Sequence, residues 1–128
     1  MKPLLTIITL VFTMMFSSTS FAEWKKVGES VSGINHYVDF ERIRKVDGYV
    51  YWWDLIDLLK PDKYGDLSVK GYQQGDCKLF RFKYLSISFY KESMGGGTGK
   101  TSTYSNDKWE YPSPDSLSEE KLKQVCNW

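Results

Sequence analysis

Asp54 and Asp57 stand three positions apart in an otherwise apolar stretch, and two neighbouring acids are what a glycoside hydrolase brings to one bond. On a regular strand, however, an odd spacing turns the two side chains to opposite faces, so they cannot share a substrate. Asp54, among Val50, Trp52 and Ile56, reads instead as a carboxylate at a sheet margin or one satisfied by a neighbouring hydroxyl or cation. Gly95 to Thr101, Gly-Gly-Gly-Thr-Gly-Lys-Thr, has the residue types that cradle phosphates with backbone N–H groups. Its register is wrong: the first glycine such a loop requires falls on Met94, and a flexible loop is the expected structure. His36 is the sole candidate imidazole base, and with no free cysteine and no serine in an elbow motif it has no nucleophile to activate. A lone strand histidine more often packs or hydrogen-bonds. The two cysteines match no zinc or redox spacing. These readings predict a chain that is not an enzyme, with no cofactor and no metal site.

The elements that would position such residues begin after a leader. Lys2 gives a basic start, Leu4 to Phe16 is almost unbroken apolar sequence, and Ser20-Phe21-Ala22 puts small residues where a signal peptidase reads. An apolar core of about 13 residues is short of the roughly 20 needed to span a bilayer, so the segment reads as a cleavable signal peptide, residues 1–22, and not a transmembrane helix. The domain is then residues 23–128, exported to the periplasm or the cell surface. Lys2 is one of 17 basic residues, which leaves 16 against 16 acids in that domain. Zero formal charge lacks the clustered positive excess of a nucleic-acid binder. All five Trp and all nine Tyr lie in the domain, a density that suits sheet faces and protein-binding surfaces alike. In an oxidising compartment the even pair Cys77 and Cys126 is expected to form an intramolecular disulfide.

Periodicity then gives strands. Trp24 to Ser30 and Ile34 to Phe40 form a hairpin about Ser32-Gly33, with His36, Val38 and Phe40 on one face. Asp39 is placed to cap a short helical turn through Glu41 to Ile43, and Asp47-Gly48 is a hairpin-turn signal. Tyr49 to Leu59 is the longest apolar run, with Tyr49, Tyr51, Trp53 and Leu55 on one side and Val50, Trp52, Ile56 and Leu58 on the other. A strand apolar on both faces belongs mid-sheet or exposes one face to a partner. Leu67 to Asp76 and Lys78 to Tyr90 read as a further hairpin hinged near Gly75-Asp76. Its apolar parity shifts from even to odd at Tyr84, which calls for a bulge there or burial of the later half on the other face. Lys91 to Lys108 reads as a mobile loop leading to a short strand around Thr103. Ser116-Leu117-Ser118-Glu119 then opens a helix of about 10 residues. The fold class is α+β, mainly β: an antiparallel sheet of about five to six strands with a C-terminal helix tied to it by a disulfide.

Glu23-Trp24, His36-Tyr37-Val38-Asp39 followed by Ile43, Trp52-Trp53, Cys77 before a long strand, Trp109 before two prolines, and Val125-Cys126 together resemble the surface-adhesin protein E family of Gram-negative bacteria. The resemblance implies a sheet of about six strands with the helix clamped on its concave face by Cys77 and Cys126. Its best-known member is an outer-membrane lipoprotein adhesin that binds host matrix and serum proteins such as vitronectin and laminin and can form dimers. It therefore implies a protein partner and a possible homodimer for this chain. No cysteine stands at the cleavage site, so no lipid anchor is expected. Two functions follow: a non-catalytic binding module, adhesive to host proteins, or an envelope structural or inhibitory protein of the periplasm with no host ligand. If the chain is a recognition module, Tyr49, Tyr51, Trp53 and Tyr104 are its candidate ligand-binding residues, since Tyr and Trp anchors supply most interface energy.

Overall fold

A computed structural model describes residues 22–103 and 108–128. Seven strands form one sheet: β1 Trp24–Glu29, β2 Asn35–Asp39, β3 Arg44–Val46, β4 Tyr49–Asp57, β5 Ser68–Asp76, β6 Arg81–Tyr90 and β7 Gly99–Thr103. All neighbours are antiparallel, in the order β1-β2-β4-β5-β6-β7, while β3 pairs with β4 beside β2. Among the described residues one α-helix, α1, spans Leu117–Cys126. The leader reading lies on residues outside the description. Among the described residues, no helix is long and apolar enough to cross a membrane.

The turns obey the local chemistry expected of them. The Asp39 side chain accepts the Glu41 N–H and caps a 3-10 turn over Phe40–Arg42. This turn breaks one edge of β4 into two partners: β2 pairs with Asp54 to Asp57, and β3 with Tyr49 to Tyr51. β3 is the strand that sequence reasoning missed, because Arg44-Lys45-Val46 is exposed throughout and shows no apolar alternation. Asp47 and Gly48 both have positive φ, 52° and 83°, as a two-residue hairpin turn requires.

Two expectations for the β5–β6 hairpin resolve differently. The hinge is not at Gly75-Asp76, which lie inside β5, but at Cys77 to Phe80, where the Asp76 carboxylate accepts the Lys78 and Leu79 N–H groups and Phe80 takes a φ of 53°. Gly75 is a glycine for packing: a Cβ there would come within 2.8 to 3.0 Å of Trp52, Val50 and Leu122. The parity shift is a bulge. Tyr84 pairs with Gln73 and Ser86 with Tyr72, which skips Leu85 and keeps Phe82, Tyr84, Ile87 and Phe89 on one face.

α1 opens as its sequence dictates, with Ser116 Oγ accepting the Glu119 N–H at 3.1 Å. The Glu119 carboxylate reaches back one residue further than a capping box places it, to the Asp115 N–H at 3.4 Å. Leu122 and Val125 bury completely against Val38, Val50, Trp52 and Phe82, and the Cys77–Cys126 disulfide ties the helix end to the β5–β6 turn. The architecture is thus the expected sheet and disulfide-tied helix, with one more strand at the edge.

Candidate functional site

Alternation along β4 assigns each side chain to the helix or to the opposite face, and the register with β5 decides what it meets. Away from the helix, Tyr49, Tyr51 and Trp53 stand in one row, and Tyr72 of β5 lies directly across from Trp53. The Tyr72 ring centroid is 4.7 Å from that of Trp53 and 6.2 Å from that of Tyr51. At the other end of the row Trp109 stacks on Tyr49 at 5.8 Å with an interplanar angle of 18°. Cations close both ends. The Arg42 guanidinium lies 5.8 Å from the Trp53 ring, while Arg81 and the Lys83 ammonium lie 4.4 and 4.7 Å from Trp109. Arg42 is held by Asp39 at 2.6 Å and Arg81 by Asp76 at 3.0 Å, so the cationic ends are fixed before any partner arrives.

Such ring pairs contribute about 0.5–1.5 kcal/mol each beyond burial, so the row is partly a second small core. Its rings are half-buried and face one another, so part of their surface stays exposed. Rigid aromatics of this kind lose little entropy on binding. Three of the residues singled out from sequence are therefore brought together; Tyr104 lies outside the described residues. Tyr72, Trp109, Arg42, Arg81 and Lys83 were not foreseen. Tyr72 had a signal in the register that pairs it with Trp53, but Trp109 reaches the row from outside every long strand and had none.

The helix face holds a polar cluster. Asp54 Oδ2 accepts from Gln73 Nε2 at 2.5 Å and from Lys121 Nζ at 3.1 Å, all three side chains buried. Gly71 leaves room for the carboxylate, since a Cβ there would stand 2.7 Å from Asp54 Oδ1. Burial raises the Asp54 pKa against the pull of the Lys121 ammonium and the hydrogen bonds. Asp57 faces the other way and accepts the Met94 N–H at 2.8 Å. The two acids are on opposite faces, and the cation beside Asp54 is Lys121. The Gly95 to Thr101 segment runs into β7 with no helix at its end. Among the described residues no three His, Cys, Asp or Glu side chains gather as metal ligands would.

His36 stands on the helix face opposite Gly28 and Ile56. Burial first, and the Lys121 ammonium second, lower its pKa from 6.5 to about 4. Between those values the unfolded chain binds a proton that the fold does not. The stability contributed by neutral His36 is present above pH 6.5 and is lost as pH falls towards 4. Urea unfolding at pH 7 and pH 5 should therefore show a smaller difference in His36→Gln than in the parent; an equal difference would place the proton uptake elsewhere.

The comparisons with known proteins agree with this architecture. The family model described as surface-adhesin protein E matches residues 24–127. The chain belongs to the surface-adhesin protein E family. Solved structures of Haemophilus influenzae protein E share the fold: two superpose with TM-scores of 0.60 and 0.61 at 18% identity, covering 86% of this chain and 91% and 88% of theirs. A third, protein E from non-typeable Haemophilus influenzae, gives 0.56 at 17% identity over 86% of this chain and 79% of that one. No curated protein matches the chain. Membership covers the sheet and its helix, and the family expected from the sequence landmarks is the one found.

Proposed function

We propose that this protein is an exported, non-catalytic adhesin-like binding module whose protein partner docks on the sheet face opposite α1. The observation that carries this reading is the half-buried row of Tyr49, Tyr51, Trp53, Tyr72 and Trp109, closed by Arg42 at one end and by Arg81 and Lys83 at the other. Tyr, Trp and Arg are the residue types that dominate interface energetics when they are clustered and pre-ordered. Membership of an adhesin family supports a host protein as partner, and vitronectin and laminin are the first to test. Export follows from the leader at residues 1–22, with residues 23–128 as the secreted domain.

Tyr51→Ala should cut capture of immobilised vitronectin or laminin by about tenfold or more, the effect of losing one interface anchor worth at least 1.4 kcal/mol. It should cost only about 1 kcal/mol of stability, since it removes one half-buried ring contact. Unchanged capture by the folded variant would remove this face from the function. Protease accessibility on intact cells distinguishes an adhesin from a periplasmic structural or inhibitory protein: protection of the domain inside the envelope would favour the latter.

A further inference from the structure

Towards β6 and β7, the helix-side face of the sheet carries a second constellation that shares no residue with the aromatic row. Phe89 of β6 stands directly across from Lys100 of β7, with Ser102 two residues further along the same face. Facing them is the connection between β4 and β5, and the two enclose an open cleft of about 460 Å³ with Phe89 in its lining. That size falls within the roughly 300–1,000 Å³ of small-ligand sites.

The wall formed by the connection is built, not loose. Asp62 Oδ1 accepts the Tyr64 and Asp66 N–H groups at 2.9 Å each. The Lys91 ammonium donates to the Tyr64 carbonyl at 2.7 Å and pairs with Asp66 at 3.0 Å. This scaffold presents Tyr64, an exposed aromatic with the Lys63 ammonium 5.0 Å from its ring centroid, at the mouth of the cleft.

The chemistry of the lining narrows the ligand. Two carboxylates of the lining, Asp62 and Asp66, balance its two ammonium groups, Lys91 and Lys100, and Lys63 beside Tyr64 at the mouth adds one positive charge, so the cleft offers too little net charge to select a polyanion or a polycation. It does offer strong acceptors and strong donors side by side, with two aromatic rings and a serine hydroxyl. A ligand that uses all of these has many hydroxyls, each both donor and acceptor, and an apolar C–H face whose positive hydrogens suit the negative face of an aromatic ring. We propose that this cleft binds an uncharged saccharide of one or two rings, seated on Tyr64 and Phe89 with its hydroxyls bonded to Asp62, Lys100 and Ser102. The site is separate from the proposed protein-binding face, so the protein can hold a glycan and a protein partner at once.

The test uses nuclear magnetic resonance on the domain with lactose and with N,N′-diacetylchitobiose, and with a sulfated heparin disaccharide and spermidine as charged probes. At least one neutral disaccharide should shift amides of residues 60–67 and of β7 and receive saturation from the aromatic protons. Tyr64→Ala and Lys100→Ala, both at exposed positions, should each weaken that binding about tenfold or more. Tyr51→Ala should leave it unchanged. The proposal is overturned if neither disaccharide shifts these amides at about 20 mM, roughly twenty times the dissociation constant of a weak 1 mM site. It is equally overturned if only the charged probes do so, or if both cleft variants bind as the parent does.

Discussion

Cys126→Ser should lower the unfolding free energy by about 2–5 kcal/mol, the range seen when small exported domains lose a native disulfide. The bond joins residues 49 apart in sequence, and closing a loop of that length in the unfolded chain is worth roughly 4 kcal/mol on the chain-entropy account. A folded-state effect adds to it. α1 has 10 residues, too few to persist as an isolated helix, and its fully buried side chains are Leu122 and Val125 alone. With the tie cut, the amides of α1 should exchange with solvent faster than those of β4 and β5, because the helix can then detach without unfolding the sheet. Cys77→Ser should match Cys126→Ser, and the double variant should cost no more than either. Urea unfolding and hydrogen exchange measure both effects; a loss under about 1 kcal/mol with α1 still protected would mean that packing alone holds the helix.

That tie was legible because compartment and cysteine parity leave one pairing. Most of the frame was legible for a similar reason: local chemistry dictates it. Asp39 caps its turn, Asp47-Gly48 bends the chain through positive φ, Ser116 starts the helix, and the alternation in β4 separates Trp52 from Trp53. The errors fall where local chemistry is silent. β3 is a polar strand made only by pairing with β4, and Gly75 looks like a turn residue because the reason for its glycine, the approach of Leu122 and Trp52, is a tertiary one. Phe80 continued the alternation of β6 in sequence, yet the Asp76 carboxylate draws the chain into a turn that includes it.

The proposed binding face was half legible. Same-side spacing put Tyr49, Tyr51 and Trp53 together, but the cations that finish the row arrive from the 3-10 turn and from β6, and only strand order shows that they converge. The saccharide cleft had no signal at all. Lys100 read as part of a failed phosphate motif; the pairing of β6 with β7 sets it beside Phe89, and the Lys91 contacts with Tyr64 and Asp66 bring the β4–β5 connection across from them.

Lys121→Met should destabilise the protein by about 3–5 kcal/mol at pH 7, since it leaves the Asp54 carboxylate buried with Gln73 as its remaining side-chain partner. The loss should depend on pH with a definite sign. Burial already raises the Asp54 pKa while Lys121 is present, and without that cation it must rise further. Between the ordinary carboxylate value and the raised one, the folded variant binds a proton that the unfolded chain does not, so its stability falls as pH rises through that window and recovers on acidification. Asp54→Asn makes the reciprocal fault by burying an unpaired ammonium, and Lys121 has less freedom to reach water than a surface lysine because its side chain is 7% exposed. The double change Asp54→Leu with Lys121→Met should regain most of either single loss, because two desolvated charges are replaced by apolar groups that need no partner. That recovery would mean that the pair fixes where α1 lies on the sheet more than it adds to stability, the ammonium sitting only where helix and strand bring it to the carboxylate. Urea unfolding of the four proteins at pH 7 and pH 5 measures both effects. A single-variant loss below about 1 kcal/mol would show that the site tolerates the unpaired group, and a double variant weaker than both singles would show that the charges are worth more paired than their desolvation costs.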